Sequence, residues 1–261
     1  MTFYVTGDIH GSVVELKYRL QTIPEGSAII ILGDAGCNYY MNKADEKLKE
    51  EMKMLPYMFY LVRGNHEARP TDVSTMELLD DSQVEGYVHW ESEYPNIRYF
   101  LDFGLYTINN RRVGVIGGAY SVDKFYRLAQ GWRWFENEQL NDQEKAMCMD
   151  IFKDNQFDII LTHTCPYEWR PTDLFLSMID QTTVDNSTEY FLSEIAQNCN
   201  YKSWAFGHFH RDRNIRPYVR MLFSEVLPLR QLADWESICG LETDPKYHYY
   251  NGGDGNVANG N

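Results

Sequence analysis

Five short clusters of residues that can hold a metal stand along the chain, each directly after an apolar run. They are Gly7-Asp8-Ile9-His10-Gly11, Gly33-Asp34-Ala35-Gly36, Gly64-Asn65-His66-Glu67, Thr162-His163 and Gly207-His208-Phe209-His210. An Asp-x-His spacing beyond a strand end lets a carboxylate oxygen and an imidazole nitrogen point into one crevice, and the flanking glycines allow tight turns. A lone Asp or His in such a place is more often a helix cap or a satisfied polar group. Five clusters in order, each at the same end of an expected strand, imply one shared edge at which ligands gather.

The elements that must position these clusters are legible as apolar runs bounded by turn residues. Phe3 to Thr6, Ala28 to Leu32, Tyr57 to Val62, Val113 to Ile116, Ile159 to Thr162 and Ser203 to Phe206 read as buried strands. Helical spacing lies between several of them. Val13, Leu16 and Leu20 follow a Ser12-x-x-Glu15 capping signal, Leu48, Met52 and Leu55 sit in a charged stretch, Asn141-x-x-Glu144 opens a third helix, and Phe191, Ile195 and Cys199 mark a fourth. Strand, loop, helix, strand is thus the repeating unit, which predicts α/β layers with much of the sheet parallel. Ile97 to Leu101, Leu105 to Ile108 and Met221 to Phe223 read as antiparallel additions to a second or mixed sheet. One domain over 1–233 is expected, followed by a Gly/Asn-rich tail over 234–261 whose composition predicts disorder.

Bulk properties narrow the function classes. With 261 residues the chain has room for one well-buried core. Its formal charge of −14 repels phosphate backbones, so a long nucleic acid is not an expected partner. No stretch approaches the length of a membrane span, and no signal peptide is evident at Met1, so a cytoplasmic location is expected. The five cysteines include no Cys-x-x-Cys pair, which argues against a disulfide framework and against a thiolate zinc site. An aromatic content of 15% calls first for core and surface packing, with an aromatic-lined cleft as the alternative.

Taken together, the clusters resemble the calcineurin-like metallophosphoesterase family, with its order Asp-x-His, Gly-Asp, Gly-Asn-His-Glu, His and Gly-His-x-His, over roughly Phe3 to Phe223. The resemblance implies a four-layer α/β/β/α sandwich of two mixed β-sheets flanked by helices. It also implies that Asp8, His10 and His210 hold one divalent metal, that Asn65, His163 and His208 hold a second, and that Asp34 bridges them. Mixed imidazole, carboxylate and amide donors suit manganese, iron or zinc better than calcium. Two such cations about 3.5–4 Å apart activate water for in-line attack on a phosphoester. By the same resemblance His66 takes the role of general acid or transition-state donor beside Asp34. His89 and His248 fall outside every cluster and are read as structural.

One departure concerns the protein-phosphatase branch of that family, which carries an acid and then an Arg after the Gly-Asp cluster, where this chain has Cys37 and Asn38. Either His66 uses another orienting partner or its role is weaker. Arg63, Tyr120 and Arg127 are the candidate substrate contacts, the loop after Ile116 leading to Arg127 and on to Arg133, and the segment Cys165 to Arg170 is the candidate rim. For each the alternative is a structural salt bridge, a solvated helix charge or a packed loop. The expected substrate is a small phosphorylated or nucleotide-type molecule. Rival readings are a nuclease or cyclic-nucleotide phosphodiesterase, and a non-catalytic scaffold that binds a partner protein.

Overall fold

The computed structural model describes residues 1–233, so the tail expected over 234–261, and His248 with it, lies outside the described residues. In chain order the elements are β1 (Phe3–Thr6), α1 (Val13–Arg19), β2 (Ala28–Ile31), α2 (Lys43–Lys53), β3 (Met58–Leu61), β4 (Glu77–Asp81), β5 (Gly86–Trp90), β6 (Ile97–Phe100), β7 (Phe103–Ile108) and β8 (Arg111–Ile116). There follow α3 (Lys124–Ala129), α4 (Asp142–Lys153), β9 (Gln156–Thr162), α5 (Ser187–Asn198), β10 (Asn200–Phe206), β11 (Arg213–Arg216), β12 (Val219–Met221), β13 (Leu227–Pro228) and α6 (Leu229–Ala233).

Local chemistry starts the helices, at Ser12 and Asn141 as the sequence reading expects and at Asn42 where it named no cap. Ser12 Oγ accepts the Glu15 N–H at α1, and Asn42 Oδ1 accepts the Ala44 N–H at α2. At α4 the exchange is reciprocal: Asn141 takes the Glu144 N–H while the Glu144 carboxylate takes that of Asn141. Glu15 differs, because its carboxylate turns to Arg19 one helical turn on.

Two sheets form. One has seven strands in the order β13-β1-β2-β3-β6-β5-β4, and the other has six in the order β11-β12-β10-β9-β8-β7. Alternation along each strand decides which layer a residue serves. Val5, Ile30, Tyr60, Val113, Ile159 and Ala205 meet between the sheets in one apolar cluster. Their neighbours Ile29, Ile31 and Phe59 turn outward onto Val13, Leu16 and Met52 of α1 and α2. On the far side Ile160, Trp204 and Phe206 pack on Phe152 of α4 and on Phe191 and Ile195 of α5. Helix, sheet, sheet, helix is therefore the layer order, the expected four-layer sandwich. Fully burying a side chain such as Leu16 contributes about 1.5–3 kcal/mol, so helix docking rests on a handful of such contacts.

Strand direction matters most for the site. Strands β1, β2, β3 and β6 run parallel in the first sheet, and β8, β9, β10 and β12 run parallel in the second. This corrects two expectations. The Ile97 strand pairs parallel with β3, its antiparallel partner being β5, and the Met221 strand pairs parallel with β10 and antiparallel with β11. Of the three expected additions, the Leu105 strand alone is purely antiparallel, against β8. The physical reason is that a buried run looks the same read in either direction, so its direction is set by the connection that delivers it.

Candidate metal centre

Because the inner strands are parallel, the loops after β1, β2, β3, β9 and β10 emerge at one edge and bring all seven expected ligand residues together. The Nε2 atoms of His10 and His210 are 2.8 Å apart, and Asp8 Oδ2 lies 3.5 Å from His210 and 3.9 Å from His10. On the other side, His163 Nε2 is 2.8 Å from Asn65 Oδ1 and 3.2 Å from His208 Nδ1. Asp34 stands between, with Oδ2 at 3.6 Å from His163 and 4.0 Å from His10. Donor atoms of Asp8, His10 and His210 all fall within 4.8 Å of one another, as do those of Asp8, Asp34 and His163.

Several of these contacts do not make sense as hydrogen bonds. The Nδ1–H of His163 donates to the Leu32 carbonyl at 2.7 Å, which in the neutral ring leaves a lone pair on Nε2. That lone pair faces Asn65 Oδ1, itself an acceptor, since the Asn65 amide group donates to Ser121 Oγ at 2.9 Å. Asp8 Oδ2 is likewise fully buried with no hydrogen-bond donor among the described residues. Converging acceptors that lack donors are the arrangement a cation completes. Oxygen and imidazole donors of this kind fit divalent metal binding.

The electrostatics agree. Burial penalises the Asp34 carboxylate, yet His163, His66 and His10 outweigh it and hold its pKa well below the usual range. Asp8 follows the same pattern, burial being overcome by the nearby rings of His210 and His163. Burial, reinforced by His163, pushes His208 down to about 3, so this ring is neutral and available as a ligand at physiological pH.

Backbone geometry is bent to the same end. His10, Asp34, His208 and His210 all adopt left-handed φ angles of 45°, 48°, 69° and 52°, a region costly for residues with a Cβ. Two glycines serve a different need, close approach. A Cβ on Gly33 would stand 2.0 Å from His163 Nδ1, and one on Gly64 would stand 1.9 Å from Asp34 Oδ1. The glycines before Asp34 and Asn65 thus each clear space for a ligand from another loop.

His66 sits beside this cluster, its Nε2 3.9 Å from Asp34 Oδ2 and its backbone N–H donating to Asp34 Oδ1 at 2.8 Å. Burial lowers its pKa. Its orienting partner is Arg127, whose guanidinium contacts the ring at Nδ1 and also donates to Tyr39 Oη at 2.9 Å and Asp123 Oδ2 at 2.8 Å. Cys37, in the place of the missing acid, is buried against Met52 and does not reach the histidine.

The remaining nominees divide. Tyr120 lines a cavity beside the cluster and Arg133 lines another. Arg63 is turned inward, held by Asp102 and by the Gly64 and Glu138 carbonyls, and it lines neither of these cavities. Its structural alternative is the one the geometry favours, because its guanidinium is spent joining the loop after β3 to its neighbours. In the rim segment, Trp169 is core while Arg170 borders the second cavity. His89 lies within β5, away from the cluster.

Sequence reasoning missed three supports. Glu67 accepts the Gly36 N–H at 2.6 Å and the Gly64 N–H at 3.3 Å, tying the loops after β2 and β3 together. Burial, with Asp34 close by, pushes it up to about 7. Ser121 and Glu138 form the relay behind Asn65, with Ser121 Oγ donating to Glu138 Oε2 at 2.5 Å. Glu67 had a signal, its place in the third cluster; the other two had none.

Comparison with known proteins bears on this arrangement. No curated protein matches the chain. Among solved structures, a protein of unknown function from Aquifex aeolicus aligns at 15% identity and a TM-score of 0.35, over 62% of this chain and 80% of its own. The phosphopantetheinyl hydrolase of Mycobacterium tuberculosis aligns at 14% identity and a TM-score of 0.43, over 94% and 97%. A 5′-nucleotidase precursor from Thermus thermophilus aligns at 13% and 0.37, over 83% of this chain and 42% of that one. These likenesses are too distant to carry function. The family model for calcineurin-like phosphoesterases, by contrast, matches residues 1–212. With that match spanning every cluster that builds the centre, the chain belongs to the calcineurin-like phosphoesterase family and is a metal-dependent phosphoester hydrolase.

Proposed function

We propose that this chain hydrolyses small phosphorylated or nucleotide-type esters with two divalent cations, manganese, iron or zinc. Asp8, His10 and His210 would hold one, Asn65, His163 and His208 the other, and Asp34 would face both. The observation that carries this reading is the meeting of buried acceptors: Asp8 Oδ2 has no donor among the described residues, and Asn65 Oδ1 and His163 Nε2 face each other with neither donating. When bound, such a pair neutralises the ester's charge, lowers the pKa of a water and stabilises the leaving oxygen.

The chain's own residues supply the rest. With Arg127 against Nδ1, the neutral His66 ring carries its proton on Nε2, the atom nearer Asp34, and offers it to the leaving oxygen. Asp123 and Tyr39 hold Arg127 in that position. The partly buried ring borders both cavities, so ester on either side comes within its reach. A net charge of −14 disfavours a long nucleic acid and leaves cyclic nucleotides and short oligonucleotides as the second reading. The complete ligand set argues against a non-catalytic scaffold. A reducing, cytoplasmic setting suits the buried free thiols Cys37, Cys148 and Cys199.

The test is hydrolysis of para-nitrophenyl phosphate and its bis ester with added manganese. Turnover should fall by at least about a hundredfold in Asp34→Asn and in His66→Ala, the scale of a lost charge-stabilising group. Equal rates in wild type and Asp34→Asn would overturn the assignment.

A further inference from the structure

Two cavities flank the centre, and His10, Asp34 and His66 border both of them. Resting on the hydrolase reading, we propose that the substrate is a phosphodiester with unlike halves, a planar nucleotide-type group in one cavity and an aliphatic chain in the other.

The first cavity, about 570 Å³, is walled by Tyr39, Tyr40 and Trp132, with Arg127 and Arg133 beside them. Tyr40 and Trp132 are 52% and 53% exposed, so their faces are open to a visitor. Aromatic faces together with guanidinium groups favour a flat ring system bearing negative charge. The second cavity, about 330 Å³, is bounded by Leu174, Phe175, Leu176, Ile179, Val184 and Phe209. Leu176 is 57% exposed there, and an alkyl chain laid on this wall is taken out of water. Both volumes lie within the roughly 300–1,000 Å³ that ligand pockets span.

A phosphodiester carries two ester halves on one phosphorus, and the two cavities share His10, Asp34 and His66 at the centre, so one half can lie in each while water enters opposite the leaving oxygen. A monoester would fill only one of them. In the step itself, the oxygen of water bonds to phosphorus, the ester bond to one half breaks, and the departing alkoxide gains a proton in place of the one that water gives up. The products are one alcohol and one monoester, with no redox partner required.

The experiment compares kcat/KM of the manganese-loaded enzyme on octyl adenylate, methyl adenylate and the octyl ester of ribose phosphate. Octyl adenylate should exceed each of the other two by roughly tenfold or more, the discrimination an apolar pocket supplies. Leu176→Glu should collapse the octyl-to-methyl ratio and leave the adenylate-to-ribose ratio; Trp132→Ala should do the reverse. Equal rates on all three esters, or variants that scale every substrate alike, overturn the proposal. Calorimetry with the octylphosphonate ester of adenosine separates the two layers of inference. Tight binding that both variants weaken, without turnover of any ester, would sink the hydrolase reading and keep the cleft assignment. Turnover of all esters without such binding would do the opposite.

Discussion

Replacing Gly64 by alanine tests the claim that glycines at the rim make room for ligands. The added methyl would lie 1.9 Å from Asp34 Oδ1 and 2.3 Å from the Asp34 backbone nitrogen, where real Cβ atoms essentially never come within 3.0 Å. Asp34 must therefore retreat by more than 1 Å. Backbone lies on both sides of the clash, so no side-chain rotation relieves it. The move breaks the 2.8 Å hydrogen bond from the His66 N–H and shifts the carboxylate that faces both halves of the centre. Misplacement on this scale costs about a hundredfold in rate, or about 2.7 kcal/mol of barrier. Overpacking should add about 1–3 kcal/mol of lost stability. Manganese-dependent turnover, metal content by mass spectrometry and a urea titration together read the effect. Gly26→Ala is the control: a Cβ there meets nothing within 4 Å, although φ is +77°, so it should lose stability without losing metal. If Gly64→Ala binds two metals and works within about twofold of wild type, the clearance argument is wrong, since a 1 Å shift costs far more.

Ser121→Ala removes the partner of the Asn65 amide and should weaken metal binding by about 10–100-fold, read by competition with a chelator; unchanged affinity would refute the relay. Glu144 resists acid: burial works against its carboxylate, but Arg69 and the Asn141 N–H outweigh it and lower the folded pKa. Its contribution is therefore present above the unfolded value of about 4.3 and lost as pH falls through the lower folded value. Glu144→Gln should accordingly trail wild type in urea midpoint at neutral pH and approach it in strong acid, and a constant gap would count against the pair. Phe152→Ala opens a hole beneath the Gly114 backbone and the Phe157 ring 4.7 Å away, and should cost about 3–5 kcal/mol in urea unfolding; a loss under about 1 kcal/mol would contradict the packing.

The strands that deliver ligands were legible because each is an uninterrupted apolar run that ends in a turn residue, and the ligand types follow at once. Less visible was the hairpin of β4 and β5, whose first strand Glu77-Leu78-Leu79-Asp80-Asp81 is acidic and largely exposed. Such a strand is held by its partner's ladder and carries little pattern of its own. Arg127 was found as a residue while its partner was not. Its contact with His66 joins positions 61 apart and depends on how α3 packs, which no local spacing encodes. The same holds for Glu138 behind Ser121. Arg63 shows the converse, a basic residue in a suggestive place whose charge is absorbed by Asp102.

Parallel strands separate the molecule into a working rim and an idle one. Every chemically committed loop leaves the carboxyl ends, so the turns at the other pole, such as Pro24 to Ser27 and the Asn109-Asn110 turn between β7 and β8, carry none of the seven ligand residues. Insertions, tags or whole added domains grafted at exposed residues there, such as Glu25 or Asn110, stand away from the ligands. New binding surfaces can be bolted onto that pole while the reaction at the opposite one runs undisturbed.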